Sequence, residues 1–226
     1  MGEIIKETTQ NTERVIEILR ETGALLEGHF ILSSGLHSTN YVQCAKVFEY
    51  PKYGEEIAKL LAQKIKEELN MYKRNFNNTN ESITNIFGNF DCTVVIGPAL
   101  GGVILAYEVG KFLNTKSMFT EREENVMKLR RGFELNEMDK VIIVEDVVTT
   151  GKSTMEVVEV VKSYNATIIG FASIINRSGK DNPFEHLGLP YSWLVKFDFP
   201  TYSPAECDMC KKGIPTTKPG SRKIKE

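Results

Sequence analysis

The chain lacks long apolar runs and any excess of one charge, and it has few cysteines and histidines. No stretch approaches the ~18 apolar residues that span a bilayer, so no membrane partner is expected. The 28 basic and 30 acidic residues leave a formal net charge of −2. That balance removes the electrostatic case for a nucleic-acid or anionic-membrane partner. The start, Met1-Gly2-Glu3, brings charge in early and does not read as a signal peptide. Lys6 stands where N-myristoylation needs Ser or Thr, so a cytoplasmic protein is expected. Its cysteines, Cys44, Cys92, Cys207 and Cys210, then read as reduced thiols. Cys44 and Cys92 lie in apolar settings and read as core residues. Cys207-Asp208-Met209-Cys210 offers half of a zinc site. No second pair accompanies it, and His29, His37 and His186 are scattered along the chain, so no metal ligand is assigned and tail packing is the competing reading.

What is present suffices for one α/β domain. A hydrophobic fraction of 41% over 226 residues builds a full core. Residues 12–22 carry Val15, Ile16, Ile18 and Leu19 among charges, an amphipathic helix that Gly23 ends. Residues 24–32 read as a strand or hairpin, Ser33-Ser34-Gly35 as a turn, and Tyr41-Val42-Gln43 as extended. Pro51 opens a helix to about Tyr72, with Leu60, Leu61, Ile65 and Leu69 on its buried side. Residues 73–90 are Asn-rich and read as a surface insertion. Strands are expected at 91–96, 117–121, 141–146 and 167–175, with helices at 103–113 and 154–164 between them. Such alternation implies a parallel sheet covered on both faces, with ligands at the carboxyl ends of its strands.

The chemistry concentrates in Val141-Ile-Ile-Val-Glu-Asp-Val-Val-Thr-Thr-Gly-Lys-Ser-Thr154. A buried strand ends in two carboxylates, Glu145 and Asp146. After Val147 and Val148, the turn Thr149-Thr150-Gly151-Lys152-Ser153 offers hydroxyls and N–H groups at a helix start, a cradle for phosphate. The adjoining acids suit ribose hydroxyls. The spacing is not that of a Walker A loop. Gly97-Pro98-Ala99-Leu100-Gly101-Gly102 forms a second strand-to-helix turn suited to an anion. Residues 121–132 are charged and have few core anchors. Arg122, Lys128, Arg130 and Arg131 there suit a departing pyrophosphate.

The stretch 141–154 resembles the 5-phosphoribosyl-1-pyrophosphate (PRPP) signature of the type I phosphoribosyltransferases. The resemblance implies that family's fold: a central parallel sheet flanked by helices, a small N-terminal hood over about 1–50, and a mobile loop, in a single domain spanning 1–226. It implies PRPP contacts from Gly97, Pro98, Ala99, Gly101 and residues 145–153. Mg2+ is expected to bind mainly through PRPP, since it prefers oxygen ligands and retains waters. Residues 122–131 resemble the family's mobile loop, with Arg122, Lys128 and Asp146 in the catalytic roles.

Residues 28–44 resemble the hood of the orotate phosphoribosyltransferases, and Ile174-Ile175-Asn176-Arg177-Ser178-Gly179 their base-reading strand end. Arg177 is expected to meet the orotate carboxylate, with Thr149 and Ser34 beside the base; a guanidinium reads a planar carboxylate in bidentate fashion. The tail 207–221 resembles that of one bacterial and archaeal branch. Two features depart from the best-known branch: Ser33 replaces a lysine, and the loop has no Lys-x-His-Gly, which leaves Lys128 for the lysine role. Glu145-Asp146 replaces Asp-Asp and keeps the charge. The resemblance implies transfer of phosphoribose to orotate N1 in pyrimidine synthesis, by a homodimer whose loop serves the neighbouring site. Two readings share the PRPP motif: a purine or xanthine phosphoribosyltransferase, and a PRPP-sensing gene regulator. The first does not need Arg177; the second needs a nucleic-acid surface that the charge does not supply. A zinc module centred on the C-x-x-C leaves the motif unexplained.

Overall fold

The computed structural model describes residues 2–32, 34–77 and 92–219. Ser33, most of the expected insertion and the end of the tail lie outside the described residues.

A six-stranded sheet is built from β3 (Val94–Pro98), β4 (Lys116–Glu123), β5 (Val126–Leu129), β6 (Lys140–Val148), β7 (Thr167–Asn176) and β8 (Tyr191–Lys196), in the order β5-β4-β3-β6-β7-β8. Every pairing is parallel except β4 with β5. Val141 to Val144 are buried without interruption, as a strand covered on both faces requires. Alternation sends Ile142 and Val144 to one core and Val141 and Ile143 to the other. The first core is closed by α1 (Gly2–Glu21), α2 (Pro51–Asn77) and α3 (Gly101–Leu113), through residues such as Ile18, Leu61, Ile65 and Leu105. The second is closed by α4 (Lys152–Ser163), through Val157, Val158 and Val161.

A second, antiparallel sheet orders β1 (Leu25–Ile31), β2 (His37–Val42) and β9 (Thr201–Tyr202) as β1-β2-β9. It gives the expected hood real strands. The C-terminal tail adds to it: Ile31 N–H donates to Thr217 O (3.0 Å) and Thr217 N–H to His29 O (2.7 Å).

Two expectations need correction. α2 continues to Asn77, past Tyr72, so the first residues read as an insertion are helical. Residues 122–131 have more anchoring than their charge suggested. They form the β4–β5 hairpin, whose turn residues Glu124 and Asn125 have φ of 52° and 64°, the left-handed pair of a type I′ turn. Met127 is buried and Leu129 packs against the second core.

Candidate active site

The carboxyl ends of β3, β6 and β7 point the same way, and the sequence-predicted turns lie there. A cavity of about 580 Å³ opens over β6 and the start of α4, lined by Arg122, Asn125, Glu145, Asp146, Val147, Thr149, Thr150, Gly151, Lys152, Ser153 and Glu156. Nearly all of the 145–153 motif therefore faces one space; Val148 does not, being buried beneath it.

The motif bends because Gly151 takes φ +72° at the helix start, where a Cβ would also meet the Phe184 ring at 2.8 Å. The first N–H groups of α4 have no acceptor inside the helix and suit an anion. Glu145 and Asp146 are half-buried neighbours. Thr154 donates a short hydrogen bond to Glu145 Oε2. Loss of hydration nevertheless lifts the Glu145 carboxyl to about 7, and the charge of Asp146 adds to the rise. Burial also raises Asp146, against backbone N–H donors that lower it. The pair is thus poorly hydrated and suited to taking hydroxyl donors.

The Gly97–Gly102 turn abuts this pair. A Cβ on Gly101 would stand 2.4 Å from the Asp146 carboxyl, and one on Gly97 2.4 Å from Gly102 O. The Ala99–Leu100 peptide is cis. The Ala99 N–H is engaged by Thr120 O (2.7 Å). Gly97 and Pro98 are buried at the end of β3. The amides of this turn best placed to meet an anion are those that open α3.

The loop cations divide by face. Arg122 pairs across the hairpin with Met127, and Glu121 with Lys128. Alternation sends the Arg122 side chain toward α4, where Nε donates to Glu156 (3.0 Å) and Nη2 approaches Ser153 Oγ (3.4 Å). Lys128 emerges on the other face and pairs with Glu123 at 2.8 Å. Arg130 and Arg131 pair with Glu121 there. Of the four cations, Arg122 alone lines the cavity.

Arg177 follows β7, and its N–H donates to Val148 O (2.8 Å), which seats it beside Thr149. Its guanidinium lies 5.1 Å from the centroid of the Phe199 ring. Loss of hydration lowers its pKa, against the opposing influence of Tyr41 on β2. Among the described residues it has no carboxylate partner. Ser34 is exposed at the tip of the Leu32–Leu36 turn, its Oγ accepting weakly from Leu36 N–H (3.4 Å), and it does not line the cavity. Sequence reasoning missed Tyr41, Phe199 and Glu156. Tyr41 lies within the 28–44 hood stretch but was not singled out there, and Phe199 and Glu156 belong to no motif; each arrives through pairing or packing. Cys44 and Cys92 are buried as expected.

Comparison with known proteins agrees with this arrangement. The phosphoribosyl transferase domain family matches residues 51–187. The chain is 48% identical to the orotate phosphoribosyltransferase of Thermotoga maritima, over 92% of this chain and 98% of that one. It is 46% identical to the orotate phosphoribosyltransferase of Caldicellulosiruptor saccharolyticus, over 95% and 100%. Among solved structures, the Mycobacterium tuberculosis orotate phosphoribosyltransferase in complex with PRPP is similar in fold. Its TM-score is 0.57 at 20% identity, covering 82% of this chain and 96% of that one.

Proposed function

The chain belongs to the phosphoribosyltransferase family, in its orotate phosphoribosyltransferase branch, and we infer from the site that it transfers the 5-phosphoribosyl group of PRPP to N1 of orotate, releasing pyrophosphate. The observation that carries this reading is Arg177: a guanidinium with no carboxylate partner among the described residues, seated one strand-end away from the 149–154 turn. A planar, anionic base fits there.

Residues 149–154 hold the 5-phosphate on the N–H groups that open α4. Glu145 and Asp146 accept from the ribose hydroxyls, which replace the water lost on burial. Gly101 and its neighbours at the start of α3 receive pyrophosphate. Arg122 turns from Glu156 to the leaving group and offsets its growing charge. Arg177 and Thr149 orient orotate, with Ser34 approaching from the hood. N1 bonds to C1 as the C1–O bond to pyrophosphate breaks, and the N1 proton passes to the departing pyrophosphate or to water, so no strong protein base is required. That agrees with a cavity that contains no histidine.

Mg2+ fits this site as a passenger of PRPP. Among the described residues no cage of three or more potential ligands lies at the cavity, and Glu145 and Asp146 offer hard oxygens to a hydrated ion. When bound, Mg2+ neutralises pyrophosphate charge.

A homodimer is part of the proposal. Leu100, Ile104 and Tyr107 are 88%, 48% and 65% exposed along one side of α3, next to the site. That apolar stripe suits a second copy. Lys128, turned away from its own cavity, is then free to serve the neighbour's. No described helix is long and apolar enough to cross a membrane.

The test is loss of orotate absorbance with PRPP and Mg2+, run beside adenine, hypoxanthine, xanthine and uracil. Turnover of orotate alone is the expected outcome. Turnover of a purine instead overturns the base assignment, and PRPP binding without turnover of any base favours a sensor.

A further inference from the structure

Four side chains meet away from the cavity. His29 lies in the irregular stretch of β1 between Glu27 and Phe30, opposite β2, and its ring meets that of His37 on β2, centroids 4.8 Å apart. Beside this pair sits α5 (Asp208–Lys211), with Cys207 at its N-cap and Cys210 one turn on. His29 Nε2 lies 2.8 Å from His37 Nδ1 and 3.3 Å from Cys207 Sγ. Cys210 Sγ lies 3.3 Å from His37 Nδ1 and 3.7 Å from His29 Nε2. All four atoms fall within 4.8 Å of one another. The scatter of the histidines along the sequence thus does not hold in space.

These separations suit a shared cation. Around a tetrahedral zinc with bonds of about 2.0–2.1 Å to nitrogen and about 2.3 Å to sulfur, ligand atoms stand about 3.3–3.8 Å apart. Three of the four nitrogen–sulfur separations already lie there, the two imidazoles need to part by about half an ångström, and all four atoms start within 4.8 Å of one another. The His29 tautomer is also set. Its Nδ1 is 2.8 Å from Ile214 O, a carbonyl that only accepts, so Nδ1 carries the proton. The lone pair on Nε2 then points at His37 and both sulfurs. A carbonyl behind a ligating imidazole is the usual outer support of a metal site. His29, His37 and Cys207 are buried, so these polar groups have little water to turn to and depend on one another or on a shared ion.

We propose that His29, His37, Cys207 and Cys210 bind one zinc ion that fastens the C-terminal tail to the hood. Two thiols give up their protons, two neutral imidazoles add lone pairs, and no electron moves. Zn2+ with two thiolates is neutral, which suits a buried place. A sulfur–nitrogen set of four favours zinc over hard cations. Four protein ligands leave no open position, so the ion is structural. It ties β1 and β2 to the tail, which also donates Thr217 to β1, and so holds the layer carrying Tyr41 and Ser34.

The test is elemental analysis of the full chain, purified without chelator or added metal. About one zinc per chain is expected, lost in the Cys207→Ser/Cys210→Ser double variant and kept in Cys44→Ser. A parallel measurement needs no substitution. The wild-type chain is produced in zinc-depleted medium containing Co2+, where thiolate-to-cobalt charge transfer and the intense visible bands of tetrahedral cobalt are expected. A wild-type chain that is metal-free as isolated and shows no tetrahedral cobalt spectrum overturns the proposal. So does a Cys207–Cys210 disulfide in protein isolated without reductant. Both readouts are independent of orotate turnover, so the two readings fail separately.

Discussion

Arg177 is a half-buried cation with an aromatic plate on one side and, among the described residues, no anion of its own. Such a group costs free energy until an anion arrives, which makes it a selector for charged bases. On the proposed reading, Arg177→Ala removes a charge-assisted, bidentate contact of about 2–3 kcal/mol, or roughly 30- to 150-fold in kcat/KM for orotate. The KM for PRPP should move far less, and steady-state kinetics with each substrate varied checks the split. Arg177→Lys should not restore the rate, because a point charge does not reproduce the fork. Glu145 makes a different prediction. Its folded pKa of about 7 exceeds the ordinary 4.5, so the folded state binds the proton more tightly than the unfolded chain. The resulting stability is complete below the ordinary value and is lost as pH rises through about 7. Urea unfolding across about pH 5 to 8 should show wild type losing about 2–3 kcal/mol more than Glu145→Gln. Equal slopes for the two would remove the assigned role of burial.

At the scale of elements, the strand-to-helix turns are the working parts, and their glycines are spatial requirements. Gly101→Ala places a methyl group against the Asp146 carboxyl, where a Cβ would stand at 2.4 Å. The side chain must shift, and the ribose contact shifts with it. The expected result is a rise of about tenfold or more in the KM for PRPP with a near-normal far-UV spectrum. A variant with unchanged PRPP kinetics would detach this turn from the site. Much of this level was legible in the sequence. Apolar runs leading to Glu145-Asp146 or Gly97-Pro98 identify buried strands but not their ends, since β6 continues to Val148 and β3 takes in Gly97 and Pro98. The charged stretch 122–131 was only partly legible. Its sign pattern reads as solvated, whereas burial of Met127 and the Glu124–Asn125 turn depend on pairing with β4. The extension of α2 to Asn77 was hidden for the opposite reason. Asparagine-rich composition argues for turns, while the backbone stays helical through Asn77.

At the scale of the whole molecule, legibility falls where contacts are long in sequence. His29 and His37 meet Cys207 and Cys210 only because a hairpin register and a returning tail bring them to one place. No periodicity in the chain encodes that meeting. The same holds for which cation serves which cavity. Arg122 and Lys128 stand on opposite faces of one hairpin, a fact set by their pairing register with β5 and β4. If Lys128 serves the neighbouring cavity across a dimer, each active centre combines one chain's Asp146 with the partner copy's lysine. Lys128→Ala and Asp146→Asn homodimers should then both be nearly inactive. Mixed dimers of the two should regain one complete centre, holding an intact Asp146 from one chain and an intact lysine from the other. With random exchange half of the dimers are mixed, so mixing equal amounts restores about a quarter of wild-type turnover. If Lys128 acts on its own cavity, every centre in the mixture carries a defect and activity does not rise. A variant with a charge on the exposed stripe of α3, Ile104→Glu, supplies the control: it should sediment as a monomer and abolish the recovery.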